Sequence, residues 1–334
     1  MKILITGANG FIGSFLVEEA LKQGLETFAG IRPSSSRNYL QDERIQFLHL
    51  PYANRSALVI QLDAFKREHG VFDYIIHNAG VTKCNRKSDF DTINREYTKN
   101  FVDALIEADM VPRKFIFMSS LSAWGSGNPK TLEPIMLCDK PHPDTAYGVS
   151  KLKAEEYISS IEGFPYIFLR PTGVYGPREK DYFLINKSIQ NGIELSVGFK
   201  PQYITFIYVR DLVRLVFEAL ESPIIQKGYF VSDGHVYTNT EYASVVKKIL
   251  HKKHTLKIKV PLFLVKGVAV CLDTVYGWFC KSPTLNRDKY NIISATNWKC
   301  ETEPTAQDFS FVAQYDLEKG MEEAIEWYKQ EGWL

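Results

Sequence analysis

Hydrophobic residues in the first half of the chain follow two alternating spacings. Short continuous apolar runs, such as KILIT (2–6), indicate buried strands, and apolar residues three and four apart indicate helices. The strands predicted in this way are 2–6, 26–31, 45–50, 72–80 with its closing turn, 114–120 and 165–171, and the helices are 10–24, 56–70, 92–109 and 145–161. This alternation predicts a parallel sheet covered by helices on both faces.

The pattern becomes irregular after residue 172. Residues 205–222 and 228–233 predict a strand, a helix and a second strand that return to the sheet. We therefore predict an α/β fold with a doubly wound parallel sheet in 1–172 plus about 204–235. A smaller, mainly helical part is predicted in 173–203 plus about 236–334.

Composition narrows the classes of partner. The formal net charge of +1 gives no reason to expect nucleic acid or an acidic membrane surface as a partner, and no apolar run approaches a membrane span. The five cysteines form no C-x-x-C pair, which indicates reduced thiols and no metal site. The first residues lack the pattern of a signal peptide, so we expect a cytoplasmic protein with a small-molecule substrate.

A glycine turn connects the first strand to the first helix. In TGANGFIGS (6–14), Gly7 permits a tight turn, Gly10 permits a pyrophosphate to approach the backbone, and Gly13 permits close packing of the helix on the sheet. The N-terminus of the helix then offers unpaired N–H groups to the phosphates. The turn therefore predicts a dinucleotide site.

A tyrosine and a lysine four residues apart stand in YGVSK (147–151), so Tyr147 and Lys151 share one face of a helix. A lysine ammonium beside a phenol is expected to lower the phenol pKa. FMSSLSAWG (117–125), LRPTGVYGP (169–177) and YVRDLVRLVFEAL (208–220) accompany this pair. Together with the glycine turn, these motifs resemble the extended branch of the short-chain dehydrogenase/reductase superfamily, from residue 1 to about 235.

The resemblance implies a Rossmann domain that binds a nicotinamide dinucleotide and a set of catalytic residues. Tyr147 would exchange a proton with the substrate oxygen, Ser120 would hydrogen-bond that oxygen, and Lys151 would lower the tyrosine pKa and hold the nicotinamide ribose. Asn94 would either support a proton relay or only fix the backbone of its helix.

The resemblance also implies binding residues. The residues implied for the dinucleotide are Gly7, Asn9, Gly10, Phe11, Ile12, Gly13, Arg32, Ser36, Arg37, Asn78, Ala79, Gly80, Lys83, Ser119, Tyr147, Lys151, Pro171, Thr172, Gly173 and Val174. The residues implied for the substrate are Ser122, Trp124 and Tyr175.

The second predicted strand is followed by GIRPSSSR (30–37). No Asp or Glu stands between Glu26 and Asp42 to bind the adenosine ribose hydroxyls, and Arg32 would suit a 2′-phosphate. We therefore favour NADP(H), and NAD(H) remains the alternative.

Departures from family patterns separate the candidate reactions. Ser120 is followed by Leu121 rather than by the Asp-Glu pair of sugar-nucleotide dehydratases, which argues against dehydration. Gly173 and Ile204 stand where nucleotide-sugar epimerases usually carry an asparagine and an arginine. The second half is rich in aromatic residues and resembles more the branch of 3β-hydroxysteroid dehydrogenases and dihydroflavonol reductases.

Our main hypothesis is an NAD(P)-dependent ketone reductase or alcohol dehydrogenase for a moderately apolar small molecule. The alternatives are a nucleotide-sugar epimerase with tightly bound NAD and a non-catalytic dinucleotide-sensing protein. The resemblance also implies a homodimer formed through helices 92–109 and 145–161. The apolar stretch 261–280 predicts an amphipathic helix, either closing the core of the smaller part or facing lipid.

Overall fold

The strands and helices lie close to their predicted positions. The computed structural model describes residues 1–278 and 287–334, and of residues 273–278 only the backbone. The strands are β1 (Lys2–Thr6), β2 (Glu26–Ile31), β3 (Gln46–His49), β4 (Tyr74–His77), β5 (Lys114–Met118), β6 (Tyr166–Pro171), β7 (Gly173–Tyr175), β8 (Ile193–Val197), β9 (Tyr203–Ile204), β10 (Phe206–Tyr208), β11 (Lys227–Val231), β12 (Tyr237–Thr238) and β13 (Leu256–Val260).

The helices of the first half are α1 (Phe11–Lys22), α2 (Arg55–His69), α3 (Lys87–Phe90), α4 (Tyr97–Glu107) and α5 (Ala146–Ser159). Those of the second half are α6 (Asp181–Gln190), α7 (Val209–Glu221), α8 (Asn239–Ile249), α9 (Leu262–Trp278), α10 (Arg287–Ser294), α11 (Glu303–Phe309) and α12 (Leu317–Gln330). A π-helical segment, Asp91–Glu96, joins α3 to α4, so the predicted helix 92–109 is not a regular α-helix throughout.

The predicted doubly wound sheet is confirmed. Seven strands lie in the order β3-β2-β1-β4-β5-β6-β11, and each neighbouring pair from β3 to β6 is parallel. Thr6 at the end of β1 lies beside Gly30 of β2 and His77 of β4. The carboxyl ends of these strands therefore share one edge of the sheet, where the strand order reverses and ligands of such folds bind.

Both faces of this sheet are buried. Leu4 of β1 belongs to a core cluster with residues of α2, α4 and α5, among them Leu62 and Phe101. Ile3 and Ile5 point to the opposite face by strand alternation, and each is completely buried as well. The near-continuous apolar runs of these strands follow from this two-sided burial.

The chain divides into two compact units. The first comprises 1–123, 146–170 and 213–229, and the second comprises 124–145, 171–212 and 230–334. Besides its helices, the second unit contains two-stranded sheets, namely β7 with β10 (parallel), β9 with β12 (antiparallel) and β8 with β13 (parallel). Assigning dinucleotide binding to one unit and substrate binding to the other remains a prediction.

One predicted return to the sheet is wrong. The strand within 205–222 is β10, and it pairs with β7 rather than with the seven-stranded sheet, which β11 joins instead. Phe206, Ile207 and Tyr208 are all buried. A short buried run does not reveal which of two sheets will bury it, because either one satisfies the same apolar side chains.

The helix predicted in the apolar stretch 261–280 is α9. It buries Val265 and Ala269 but leaves Phe263 and Leu264 exposed, so its described part contributes little to a core. The side chain of Asp273 and the whole of Cys280 lie outside the described residues. Within the described chain, no helix combines the length and apolar character that crossing a membrane requires.

Candidate active site

The glycine turn after β1 is packed too tightly for two side chains. Gly7 has φ +63°, and a Cβ there would lie 2.9 Å from Ala79 in the turn after β4. A Cβ on Gly13 would lie 2.1 Å from the carbonyl oxygen of Gly7. These two glycines are therefore required by the contact of α1 and the β4 turn with the loop.

The absence of a side chain at Gly10 leaves the backbone of the turn exposed. Gly10 is exposed, it has extended backbone with φ −78°, and a Cβ there would meet only the Gly7 oxygen, at 3.3 Å. No side chain of the N-cap residue Gly10 caps the start of α1, so the N-cap leaves the first N–H groups of the helix without a side-chain partner. An open backbone surface at a helix N-terminus fits a pyrophosphate, and the predicted Asn9, Phe11 and Ile12 lie in this turn.

The arginines predicted for the dinucleotide follow β2. Arg32 is exposed at the end of the strand, and its turn is closed by a bond from Ser35 N to Arg32 O of 2.9 Å. The guanidinium of Arg37 lies 4.0 Å above the ring of Phe47 in β3. Ser36 accepts a bond from Asn38 N within the same loop. Because Thr6 and Gly30 are neighbours, this loop begins at the same sheet edge as the glycine turn.

The turn after β4 approaches both the glycine turn and the lysine. Asn78 donates to Gly7 O at 3.5 Å, and Ala79 N donates to Thr6 Oγ1 at 3.0 Å. A Cβ on Gly80 would lie 3.0 Å from Asn94 Oδ1 and 3.3 Å from Lys151 Nζ. The backbone at Gly80 therefore passes directly over the lysine ammonium. Lys83 is exposed farther along this loop.

The Ser120 hydroxyl lies beside the phenol of Tyr147. Burial raises the pKa of Tyr147 to about 12, and the hydrogen bond with the Ser120 hydroxyl acts in the opposite direction. Ser122 N donates to Ser120 Oγ at 3.2 Å, which fixes the serine at the end of β5. The phenol is thus a proton donor at neutral pH, with a hydroxyl beside it.

Lys151 is buried one helical turn after Tyr147. Its ammonium donates to Met118 O at 2.7 Å and lies 4.7 Å above the ring of Phe117. Burial lowers the pKa of Lys151 to about 8, and the nearby carboxylate of Glu155 opposes this effect. The expected lowering of the Tyr147 pKa by Lys151 is wrong for this structure, because the ammonium bonds to the β5 carbonyl and desolvation of the phenol dominates.

A neighbouring hydroxyl has no partner. Ser119 Oγ is buried and makes no hydrogen bond to any described residue, although Ser119 N donates to Leu169 O at 2.7 Å. A buried hydroxyl normally has a hydrogen-bond partner. Together with the open surface at Gly10, this orphaned hydroxyl fits a polar ligand along the sheet edge.

Asn94 fixes the backbone of two segments. Its side-chain oxygen accepts from Val81 N at 2.8 Å, and its amide donates to Val81 O and to Ser150 Oγ, each at 3.0 Å. Of the two interpretations of Asn94, this geometry supports the positioning role, because the described partners occupy its side chain. The proton relay remains a prediction.

A buried histidine network was not predicted. His77 Nδ1 lies 2.9 Å from Thr6 Oγ1, and Nε2 lies 3.0 Å from Thr98 Oγ1. Thr98 donates its own proton to Asn94 O, so it accepts from Nε2–H, and Nδ1 accepts from Thr6. Burial lowers the pKa of His77 to about 3, so the ring is neutral. Sequence spacing gives no signal for this network, whose members stand 21 and 71 positions apart.

A buried ion pair supports the helix of the catalytic lysine. Arg170 Nη2 donates to Glu155 Oε2 at 2.7 Å, and both side chains are almost completely buried. Glu155 stands one turn after Lys151 on α5, where its charge favours the ammonium form of that lysine.

The remaining predicted residues, except Ser122, belong to the second unit. Thr172 donates from N and Oγ1 to Val231 O, Pro171 is buried, and Gly173 and Val174 lie in β7. Their predicted contact with a dinucleotide remains a prediction.

The predicted substrate residue Tyr175 lies in the interior of the second unit, and its substrate role remains a prediction. It is fully buried, and its hydroxyl donates to Asp316 O at 2.9 Å, so it is a core residue of the second unit. Trp124 is also largely buried, with its ring edge-to-face on Phe230 at 5.6 Å. Ser122 is partly exposed in the short turn after Ser120, and its substrate role remains a prediction.

Within the described residues, no group of three or more His, Cys, Asp or Glu side chains is arranged to hold a metal ion. Cys84, Cys138, Cys271 and Cys300 are free thiols.

The region that contains the sequence motifs matches a known protein family. The profile of the NAD dependent epimerase/dehydratase family matches residues 3–229. An uncharacterized UDP-glucose epimerase of Bacillus subtilis, YtcB, is 29% identical over 275 residues, 75% of this chain and 80% of that protein. A ceramide reductase of Caulobacter vibrioides is 22% identical over 337 residues, 99% of this chain and 96% of that protein.

Solved structures share the fold over nearly the whole chain. UDP-glucose 4-epimerase of Thermotoga maritima, with UDP-glucose, has a TM-score of 0.79 at 19% identity and covers 99% of each chain. UDP-glucuronic acid 4-epimerase of Bacillus cereus, in complex with NAD, has a TM-score of 0.77 at 22% identity over 99% of each chain. By their titles, both solved structures are UDP-sugar 4-epimerases, and the Bacillus cereus structure contains NAD.

Proposed function

Because the chain belongs to the NAD dependent epimerase/dehydratase family, we propose that it transfers a hydride between nicotinamide C4 and a carbon bearing a hydroxyl or carbonyl group. The observation that carries this proposal is the juxtaposition of the Tyr147 phenol and the Ser120 hydroxyl, with Lys151 one helical turn away. A phenol and a hydroxyl side by side can hold one substrate oxygen between them.

The residues of the chain have separate roles in this reaction. The glycine turn and the first N–H groups of α1 would hold the pyrophosphate, and Lys151 would bind the nicotinamide ribose. The nicotinamide supplies or accepts the hydride. In the reducing direction, Tyr147 gives its proton to the substrate oxygen as the carbonyl carbon gains the hydride, and solvent then reprotonates the phenolate. Ser120 donates a hydrogen bond to the same oxygen and fixes its position.

The substrate we favour is a carbonyl compound of moderately apolar character. The position usually taken by the asparagine of nucleotide-sugar epimerases is Gly173, and a Cβ there would lie 2.3 Å from Tyr182 Oη and 2.9 Å from the Phe206 ring. The aromatic rings therefore occupy the space that a diphosphate-binding side chain would need. The match to a ceramide reductase, over 96% of that protein, agrees with an apolar substrate.

The second candidate is a nucleotide-sugar epimerase. The UDP-glucose epimerase of Bacillus subtilis is the more similar of the two curated relatives described above, at 29% against 22% identity. Such an enzyme would oxidise and then reduce the same sugar carbon, so its NAD would show no net turnover.

We favour NADP(H) as the dinucleotide. Arg32 is exposed directly after β2, and no carboxylate forms an ion pair with it in the described chain. A guanidinium there would bind a 2′-phosphate through charge-assisted bonds. NAD is the alternative, supported by the family description and by the NAD complex of the Bacillus cereus enzyme.

The homodimer and the cytoplasmic location also remain proposals. Both derive from the resemblance and from the sequence pattern. Sedimentation of the purified protein tests the first.

Cofactor stoichiometry tests the proposed function. First, the purified protein is denatured, and any dinucleotide that it releases is identified. Separate samples of folded protein then receive NADPH or NADH together with ketones whose apolar chains increase in length. Further samples receive UDP-sugars without added dinucleotide. A reductase consumes one dinucleotide per carbonyl reduced. Interconversion of a UDP-sugar without net consumption would establish the epimerase instead, and binding without any turnover would establish a dinucleotide sensor.

Two tyrosine variants on α5 test the catalytic assignment. Tyr147→Phe should lower kcat by a factor of about 10²–10⁴, because it removes the proton donor. Tyr157→Phe is the matched control, since Tyr157 stands on the same helix and hydrogen-bonds Asp103. Equal activity of both variants on a confirmed substrate would contradict the mechanism.

A further inference from the structure

The sheet formed by β8 and β13 in the second unit has an exposed apolar face. Ile193 lies beside Leu256 and Leu195 lies beside Ile258, so the four side chains share one side of the two-stranded sheet. Leu195 is 57% exposed and Leu256 is 65% exposed. A short sheet in contact with water normally turns its apolar side toward a core, and this one does not.

Helix α9 continues this apolar surface. Val265 and Ala269, four residues apart, are buried and define its inner side. Phe263, Leu264 and Val268 are exposed, with Phe263 at 72%. An amphipathic helix on a water-exposed surface would carry polar residues at these positions.

The sheet and the helix meet at the end of β8. Gly198 N donates to Val260 O at 2.8 Å, and a Cβ on Gly198 would lie 3.4 Å from Leu262 Cγ. Phe199, the next residue, is 68% exposed. We call the surface formed by these side chains the apolar docking face; its members are Ile193, Leu195, Phe199, Leu256, Ile258, Leu262, Phe263, Leu264 and Val268.

This concentration of apolar side chains is local. The docking face holds nine of the twenty large hydrophobic side chains that are exposed within the described residues. Contiguous apolar patches on proteins mark interaction sites, whereas single exposed residues do not.

The segment that carries much of the docking face is rich in lysine. Residues 251–272 contain five lysines and no Asp or Glu. All five are exposed, and Lys252, Lys253 and Lys266 flank the docking face, whereas Lys257 and Lys259 alternate with Leu256 and Ile258 in β13 and point to the opposite side of the sheet. In the described chain only Lys257 is ion-paired, with Glu194 at 3.9 Å. The net charge of +1 for the whole chain conceals this local excess.

We propose that the docking face binds the surface of a lipid bilayer that contains anionic lipid. Its apolar side chains would enter the boundary between headgroups and acyl chains, and the flanking lysines would contact lipid phosphates. Charge complementarity favours this occupant over a second copy of the chain, because two such faces would bring their unpaired lysines together. The inference goes beyond the proposed function and does not depend on it.

Vesicle flotation tests the proposal without any turnover assay. The full chain is mixed with vesicles of phosphatidylcholine alone or with about a third phosphatidylglycerol, at low and high salt. We expect binding to the anionic vesicles that weakens with salt, because ions screen the lysine–phosphate attraction. Phe263→Ser combined with Leu264→Ser should lower this binding at least about tenfold, because it removes inserted apolar surface.

Matched variants complete the experiment. Ile60→Ser, an exposed apolar residue on α2, and Lys130→Glu, an exposed lysine elsewhere, should leave flotation unchanged, whereas Lys252→Glu with Lys253→Glu should abolish its preference for anionic vesicles. Unaltered dinucleotide binding by each variant shows that the first unit is intact. Equal flotation with both vesicle types, or unchanged flotation of the serine double variant, would overturn the proposal. A dimer that the serine variant dissociates would assign the face to a second copy instead.

Discussion

Individual side chains at the site obtain their chemical properties from their immediate partners. Lys151 donates to Met118 O, and burial lowers its pKa to about 8. Tyr147, one turn earlier, lies beside the Ser120 hydroxyl, and burial raises its pKa to about 12. The phenol is therefore protonated throughout the neutral range, whereas the charge of the lysine is sensitive to mild alkali.

The pH dependence of reduction should reflect the lysine. Because Lys151 loses its proton as the pH rises through about 8, we expect kcat/KM for reduction to fall above that pH, toward tenfold per pH unit. Lys151→Arg keeps the charge and should move the decline to higher pH in whatever activity it retains. A decline at the same pH in this variant would assign the titration to another group.

The choice of dinucleotide should depend on Arg32. We expect Arg32→Ala to weaken NADPH binding about tenfold or more and to change NADH binding little, because only NADPH carries the 2′-phosphate. Arg44→Ala is the control, since Arg44 is an exposed arginine outside the residues implied for the dinucleotide and its guanidinium pairs with Asp42. Fluorescence titration measures both affinities, and an unchanged NADPH affinity in Arg32→Ala would remove the NADP assignment.

The elements bring the site together through packing that glycine permits. Gly7 and Gly13 admit the β4 turn and α1, and Gly80 passes over Lys151. A Cβ on Gly10 would meet only the Gly7 oxygen, at 3.3 Å, so contacts within the protein restrict this position much less than they restrict Gly7 and Gly13. The loop thus contains two glycines that packing requires and one, Gly10, for which the predicted partner is a ligand.

Two alanine variants test this separation. Gly13→Ala should destabilise the fold by about 2–4 kcal/mol, because its Cβ would overlap the Gly7 oxygen. Gly10→Ala should leave the thermal unfolding temperature almost unchanged and weaken dinucleotide binding at least about tenfold. Thermal unfolding and dinucleotide titration measure the two effects. A Gly10→Ala protein that binds as well as the original chain would contradict the phosphate site.

At the scale of the whole molecule, each unit contains one buried titratable group, and the two groups change the stability of the fold with pH in opposite directions. His77 in the first unit has its pKa lowered to about 3, and Asp233 in the second has its pKa raised to about 6, both by burial. As the pH falls below about 6.5, the histidine of the unfolded chain becomes protonated, whereas buried His77 in the folded chain stays neutral. Protonation therefore favours the unfolded chain, and stability is lost as the pH falls. Folded Asp233 holds a proton that the unfolded chain releases above about 4, so stability is lost as pH rises to 6.

The two effects should largely cancel between about pH 4 and 6. In His77→Gln we expect the free energy of unfolding to decrease as the pH rises through this window, and in Asp233→Asn we expect it to increase, each by up to ~1.4 kcal/mol per pH unit. Urea unfolding at a series of pH values measures these slopes against the original chain. Parallel pH profiles for all three proteins would show that neither group is buried as described.

Local patterns in the sequence determined the elements, the glycine turn and the face shared by Tyr147 and Lys151. These features depend on residues a few positions apart, because backbone dihedral preferences and helical periodicity act over that range. The predicted doubly wound parallel sheet and the resemblance to the extended short-chain branch followed from such patterns, whereas the order of the seven strands came from the structure.

Only the tertiary structure decided which partners distant residues find. It paired β10 with β7, buried Tyr175 in a core, directed Lys151 to Met118 O and left the apolar docking face uncovered. Each outcome depends on contacts between segments far apart along the chain. The sequence pattern around a hydrophobic or charged residue is compatible with many tertiary partners. Packing in the folded chain selects one of them.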